Sequence, residues 1–129
     1  MLLWARILIA VAGAMGASGV ALAAWAAHRS GGETLMTAAL FLLLHATPVA
    51  AIALAGRCRG FMLAASALAV GAILFSGDIA LLATLNVKPW ALAAPTGGIA
   101  MIIGWLTLCF SSFFPSVWNF GAAAGDSRR

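Results

Sequence analysis

Four long apolar blocks, separated by short polar breaks, constrain this sequence more than any other feature. Each block is close to the ~20 residues that an α-helix needs to cross the hydrocarbon core of a bilayer. Only 8% of the 129 residues are charged and 64% are hydrophobic, whereas soluble domains average about 25% charged residues. Because so few charges cannot cover a water-facing surface, the sequence predicts an integral membrane protein.

The polar breaks divide one predicted domain, residues 1–115, into four transmembrane helices. Gly31 lies in the break between the first and second blocks, and Gly56 in the break between the second and third. Asn86 suits the end of the third helix. Pro89 suits the opening of the fourth helix, where its missing donor is not needed. The predicted helices span about residues 2–27, 34–55, 61–85 and 90–114. Residues 116–129 are predicted to be an interfacial, disordered tail.

The short breaks predict the topology of an all-α, up-down-up-down four-helix bundle. One side of the predicted bundle carries five basic residues and the other carries two: Arg6, Arg57, Arg59, Arg128 and Arg129 on the first side, and Arg29 and Lys88 on the second. Because cytoplasmic loops of membrane proteins are rich in Lys and Arg, both termini are predicted to be cytoplasmic. The net charge of +4 is explained in this way, and no basic-aromatic pattern indicates nucleic-acid binding.

Small residues predict the surfaces on which the helices pack. Water exclusion does not drive helix association inside lipid, so close approach of backbones at small residues matters more. The predicted packing glycines lie in helices one, three and four: Gly13, Gly16, Gly19, Gly71, Gly97, Gly98 and Gly104. A helix-one stripe that forms a homodimer is an alternative use of the same residues.

Three ionisable residues fall within or beside the predicted membrane spans. His28 lies at the end of helix one, His45 near the middle of helix two, and Asp78 in helix three. Counting residues from the predicted outer surface places His45 roughly 15 Å and Asp78 about 10 Å deep. Because a charge in mid-bilayer costs a few kcal/mol or more, these residues are the first candidates for a functional site.

Two prolines extend this candidate site. Pro48 cannot donate to the carbonyl four residues earlier, and Pro95 is predicted to loosen the outer part of helix four. Thr47 and Thr96 lie next to these prolines. Since broken helix backbone at membrane depth is covered by protein or a water-filled cavity, a polar pocket is predicted in the outer half of the bundle. Its predicted lining is His28, His45, Asp78, Thr47 and Thr96.

The pocket leaves several interpretations open. Asp78 and a histidine can form a hydrogen-bond network that only fixes helix register, or a site that handles protons or a solute. Two histidines with one carboxylate can ligate a metal, but no His-x-x-x-His spacing is present, and Cys58 and Cys109 have no metal or redox spacing. No catalytic motif or extramembrane domain indicates an enzyme, and no cofactor is predicted.

The sequence resembles the YgdD/YwdK-type small inner-membrane proteins, the domain-of-unknown-function family numbered four-two-three. The segments that carry the resemblance follow one another along almost all of the transmembrane region: AAWAAH at 23–28, LHAT at 44–47, LFSG at 74–77, APTGG at 94–98 and GW at 104–105. Ala23 and Ala26 stand where the family favours glycine. The resemblance implies a multi-pass protein of the bacterial inner membrane with four helices, and it implies no established activity.

Three functions are therefore carried forward. The first is a non-enzymatic accessory or scaffold subunit of a larger membrane complex, because short loops leave mainly lipid-facing helix surfaces for a partner. The second is a small oligomeric transporter or channel-like protein that uses His45 and Asp78 for protons or a cation. The third is a haem- or metal-binding redox subunit ligated by His28 and His45.

Overall fold

The computed structural model describes residues 2–30, 32–55, 58–87 and 90–113, and within these ranges the chain is helical with no strand. The helices are α1 (Leu2–Ala27), α2 (Glu33–Ala55), α3 (Arg59–Leu85) and α4 (Ala93–Ser111). All four are long and apolar enough to cross a membrane. The all-α class and the four membrane-spanning helices are therefore confirmed, and the sidedness of the bundle stays a prediction.

The boundary between α3 and α4 differs most from the sequence prediction. Asn86 adopts a left-handed conformation (φ 54°) and its N–H donates to the carbonyl of Leu82, which ends α3. Residues 90–92 then form a turn, closed by a hydrogen bond from the N–H of Ala93 to the carbonyl of Trp90. As a result α4 begins at Ala93 rather than at residue 90. Pro89, Phe114, Pro115 and the tail 116–129 lie outside the described residues.

Both helix-breaking prolines lie inside continuous helices. Pro48 interrupts one hydrogen bond of α2, and the helix nevertheless continues to Ala55. The hydroxyl of Thr47 donates to the carbonyl of Leu43, at 3.3 Å. Pro95 is the third residue of α4, where an N–H has no partner within the helix and its loss costs little.

The helices associate as two hairpins. α1 packs chiefly against α2, α3 chiefly against α4, and the α2–α3 contact joins the pairs, with a smaller contact between α1 and α3. Among the described residues α1 and α4 are not a packed pair, so they lie at opposite margins of the bundle. The end at which α1 and α3 end and α2 and α4 begin is termed the distal end below.

Glycines set the closest contact between α3 and α4. A Cβ atom on Gly71 would lie 2.7 Å from the carbonyl oxygen of Gly97, and one on Gly97 would lie 2.6 Å from that of Gly71. Farther along, a Cβ on Gly104 would lie 2.8 Å from the side chain of Leu68. The two backbones can meet at this distance only because side chains are missing there.

The remaining predicted packing glycines divide into one at a contact and three in open space. A Cβ on Gly19 would lie 2.7 Å from the side chain of Leu43, so this residue sits at the α1–α2 contact. Nothing lies within 4 Å of a Cβ on Gly13, Gly16 or Gly98. Within the described chain, these three glycines permit no close helix contact.

Candidate functional site

His45 is buried between α2 and α4, with 7% of its surface exposed. Its Nδ1 lies 2.8 Å from the carbonyl oxygen of Phe41, and its Nε2 lies 3.3 Å from the indole nitrogen of Trp105. Because an indole N–H can only donate, Nε2 accepts and Nδ1 donates. This assignment describes a neutral imidazole whose two nitrogens both have partners.

Aromatic rings continue this arrangement across three helices. The ring of Phe41 lies 4.5 Å from that of Phe75 on α3 and stacks 5.9 Å from the ring of His45. Trp105 on α4 meets His45 edge-on at 6.1 Å. Ring pairs at these distances stabilise a contact beyond the area they bury. His45 therefore acts in this structure as a link between α2 and α4.

Sequence reasoning did not pair Trp105 with His45, although a signal was available. Each residue lies twelve positions beyond the first residue of its helix, Glu33 in α2 and Ala93 in α4. Since these two helices run in the same direction, equal counts give equal depth in the bundle. The pairing was hidden because the start of α4 was predicted at residue 90.

Asp78 lies on α3 towards the distal end and is 6% exposed. It precedes the last residue of α3 by seven positions, which corresponds to about 10 Å along the helix. Its Oδ1 atom is buried and has no hydrogen-bond partner in the part of the chain that the structure describes. A buried polar atom of this kind is rare because desolvation is not compensated, so Asp78 is the strongest candidate for a site of interaction.

A cavity of about 230 Å³ lies beside Asp78, between α3 and the start of α4. Asp78 and Ala93 are its buried lining residues, whereas Ile73, Leu81 and Trp90 are exposed and form its rim. The lining is otherwise aliphatic. The cavity is therefore an apolar space with one acidic residue in its wall and an indole ring at its edge.

The other predicted pocket residues are placed elsewhere. His28 is exposed, and its Nδ1 lies 2.9 Å from the carbonyl oxygen of Ala24 in its own helix. Thr47 and Thr96 are also exposed. The cavity beside Asp78 is lined by none of these three and not by His45. The structure thus gives His45 and Asp78 separate surroundings, and the expected hydrogen bond between Asp78 and a histidine is not formed among the described residues.

The two histidines also lie at different depths. His28 follows α1 at the distal end, whereas His45 is twelve residues into α2, which corresponds to roughly 18 Å along the helix axis. Metal–nitrogen bonds are about 2 Å long, so these two side chains cannot ligate the same ion. In the part of the chain that the structure describes, no three His, Cys, Asp or Glu side chains form a group that could hold a metal.

A larger cavity, about 410 Å³, opens between α1 and α3. Its lining is mainly apolar and includes the hydroxyls of Ser18 and Ser76. Ser76 is 1% exposed, and its Oγ has no hydrogen-bond partner within the described ranges. Rotation about χ1 can bring a helical serine hydroxyl onto the carbonyl four residues earlier. This hydroxyl therefore points to a ligand less strongly than the Asp78 carboxyl does.

The fold defines a multi-pass helical membrane protein. Among the described residues, the buried polar side chains are His45, whose two ring nitrogens have partners, and Ser76 and Asp78, each with one atom that lacks a partner. Over residues 12–98 the chain matches the family described as "Protein of unknown function (DUF423)", and it belongs to this family. The family prediction is thereby confirmed. The matched range contains His45 and Asp78 and ends before Trp105. No curated protein and no solved structure matches the chain.

Proposed function

We propose that the protein is a non-enzymatic accessory subunit of a larger complex in the bacterial inner membrane. The observation that carries this proposal is the outward face of α1. Small residues recur there every three or four positions and are all exposed: Ala10, Gly13, Ala17, Ala21 and Ala24. The opposite side of α1, with Gly19, packs against α2.

The outward face of α4 supports the proposal by contrast. Five large apolar residues of α4 have about half or more of their surface free: Ile99, Ile102, Ile103, Leu106 and Phe110. Large residues are exposed on α1 as well, Ile7 and Val20 among them, but no row of small exposed residues at helical spacing runs along α4. Large apolar side chains suit contact with lipid tails, whereas small residues are enriched where transmembrane helices meet. The margin of the bundle formed by α1 is therefore the surface on which a partner helix fits best.

The experiment is purification of the tagged protein from its native membrane in a mild detergent, with mass-spectrometric identification of what stays bound. We expect a membrane protein in stoichiometric amount. Ala17→Leu with Ala21→Leu places two large side chains on the outward face of α1 and is expected to remove this partner.

The matched control is Ala51→Leu with Ala55→Leu, which changes two exposed alanines at the same spacing on α2. We expect the control to keep the partner. Purification of the unchanged protein alone, or only with copies of itself, would contradict the accessory function. Loss of the partner in both variants would contradict the α1 surface.

A second candidate function is transport of protons or a cation, and the Asp78 carboxyl favours it. The polar residues described in the half of the bundle away from the distal end give it less support. Ser66, Thr107 and Ser111 each donate to a carbonyl four residues earlier in their own helix. A route across the membrane would therefore have an unsatisfied acidic group on one side only.

Flux measurements in proteoliposomes test this second candidate. Transport through Asp78 predicts proton or monovalent-cation flux above that of empty liposomes, and loss of this flux in Asp78→Asn. Glu33→Gln, which changes an exposed carboxyl at the start of α2, is the control. Flux equal to that of empty liposomes would remove the transport function.

A further inference from the structure

We propose that Asp78 and the adjoining cavity form a binding site for a primary alkylammonium group. This inference concerns the α3–α4 side of the distal end and does not depend on the accessory function or on the surface of α1. The ligand is an amine that carries an apolar chain, either the headgroup of a membrane lipid or a free lipophilic amine.

The buried carboxyl of Asp78 favours a positively charged ligand. Asp78 is 94% buried and lines the cavity, and its Oδ1, which is itself buried, has no hydrogen-bond partner among the described residues. An isolated charge in a membrane helix is costly, and such residues are paired or line a pathway. When the carboxyl turns about χ2, a soft torsion, an ammonium N–H in the cavity donates to it and supplies both the missing hydrogen bond and the opposite charge.

The rest of the lining favours an organic cation over a metal ion. Ca²⁺ takes six to eight oxygen ligands and Mg²⁺ demands an octahedral set, whereas the side chains that line this cavity offer one carboxyl among aliphatic groups. A monovalent ammonium needs only one counter-charge. The aliphatic walls, with Ile73 and Leu81 at the rim, suit the chain attached to the nitrogen.

Trp90 adds a second element of recognition. Its side chain lines the cavity and is 52% exposed at the rim. An indole face attracts a cation within about 6 Å of the ring centroid, and tryptophan does so best among aromatic residues. The cavity of about 230 Å³ is smaller than the ~300–1,000 Å³ typical of drug-sized ligands. The site therefore fits an ammonium group with the first part of its chain.

The experiment is calorimetric titration of the purified full chain in dodecyl maltoside with octylammonium, and with octanol as the neutral probe of equal chain length. We expect saturable 1:1 binding of octylammonium, and none of octanol beyond partition into micelles.

Asp78→Asn is expected to weaken binding at least tenfold, because the charge-assisted hydrogen bond is lost. Asp78→Glu keeps a carboxyl and is expected to retain most of the affinity. Trp90→Ala is expected to weaken binding by a factor of several.

Two further variants make the result specific. Glu33→Gln removes a carboxyl that is exposed at the same end of the bundle, and it is expected to leave binding unchanged. Lys88 lies outside the described residues and carries the ammonium nearest in sequence to the cavity, so the titration is repeated in Lys88→Gln. Absence of octylammonium binding in both the unchanged chain and Lys88→Gln overturns the proposal. Equal binding of octanol, or equal binding by folded Asp78→Asn, also overturns it.

Lipid analysis of the purified protein identifies the source of the amine. Phosphatidylethanolamine that stays with the unchanged chain and is lost from Asp78→Asn assigns the site to a lipid headgroup. Octylammonium binding without such retained lipid assigns it to a free amine. Loss of a protein partner in Asp78→Asn, together with no octylammonium binding, overturns the proposal in favour of a partner's lysine. The accessory function would survive that result, because it is tested on α1.

Discussion

His45 and Asp78 are both ionisable residues buried in membrane-spanning helices, yet their surroundings differ. His45 has a partner on each ring nitrogen, the carbonyl of Phe41 and the indole of Trp105. Asp78 has a buried oxygen with no partner among the described residues, and its side chain lines a cavity. Satisfied polar groups in a protein interior fix one arrangement of the chain, whereas unsatisfied ones need a further explanation.

The comparison shows that depth in the membrane does not by itself make an ionisable residue functional. His45 is deeper along its helix than Asp78, and both of its ring nitrogens nevertheless have partners within the protein. What distinguishes Asp78 is a buried oxygen without a hydrogen-bond partner among the described residues, in a side chain that lines a cavity. On this basis the proposed binding site at the distal end belongs to α3 and the start of α4, whereas the His45 contacts stabilise the fold.

Removal of the His45 side chain is expected to lower the free energy of unfolding more than any other change considered below. His45→Ala deletes the link to Trp105 and leaves a void among Phe41, Phe75 and α4. Truncation of a large buried side chain to alanine costs about 2–5 kcal/mol, and we expect a loss within this range. The measurement is unfolding by sodium dodecyl sulfate in mixed micelles, followed by far-UV circular dichroism. A loss below about 1 kcal/mol would contradict the architectural role.

The contact between α3 and α4 positions Trp105, the partner of His45, and also the cavity beside Asp78. Substitution of Gly97 tests this contact. Gly97→Ala places a Cβ too close to the carbonyl oxygen of Gly71 and to the backbone of Phe75. Backbone atoms cannot move aside at low energetic cost. We expect a loss of about 1–3 kcal/mol, the usual cost of overpacking, in the same unfolding assay.

Gly98→Ala is the matched control for Gly97→Ala. The two residues are neighbours in one helix, but a Cβ on Gly98 meets nothing within 4 Å. Alanine favours a helix over glycine by about 1 kcal/mol in soluble hosts, so this variant is expected to be neutral or slightly stabilised. Equal losses in both variants would mean that helix propensity, and not the contact with Gly71, determines the result.

Much of the fold could be predicted from the sequence because lipid imposes simple rules. Apolar length identified all four helices, and the left-handed Asn86 was predicted as the end of α3. The start of α4 was missed because Trp90 to Leu92 are as apolar as the helix that follows. Apolar character predicts burial in lipid, but it does not distinguish a turn from the first turn of a helix.

The candidate site was less predictable than the helices. Sequence reasoning grouped Asp78 and His45 in one pocket because both are ionisable and lie in the same half of the bundle. Both are buried in the structure. Whether they meet depends on the rotation of α2 and α3, which follows from contacts such as Gly71 with Gly97. Uniformly apolar helices carry little periodic pattern from which this rotation could be read.

The hydrogen bond between Trp105 and His45 gives a smaller test of the same comparison. Trp105→Phe keeps an aromatic ring and removes the donor to Nε2. Side-chain hydrogen bonds between membrane helices average about 0.6 kcal/mol in double-mutant cycles, and we expect a coupling energy near this value from Trp105→Phe combined with His45→Ala. Zero coupling would show that the 3.3 Å contact contributes only packing.

Asp78→Asn is expected to have the smallest effect on stability. It tests the Asp78 half of the comparison with His45. Among the described residues the Oδ1 of Asp78 makes no hydrogen bond that the variant would lose, and an amide of the same shape carries no charge into the membrane span. We therefore expect the free energy of unfolding, measured without added amine, to stay within about 0.5 kcal/mol of the original. Glu33→Gln, at an exposed position, gives the baseline for loss of a carboxyl. A loss above about 1 kcal/mol would mean that Asp78 has a stabilising partner within the chain, and the difference between the two sites would then disappear.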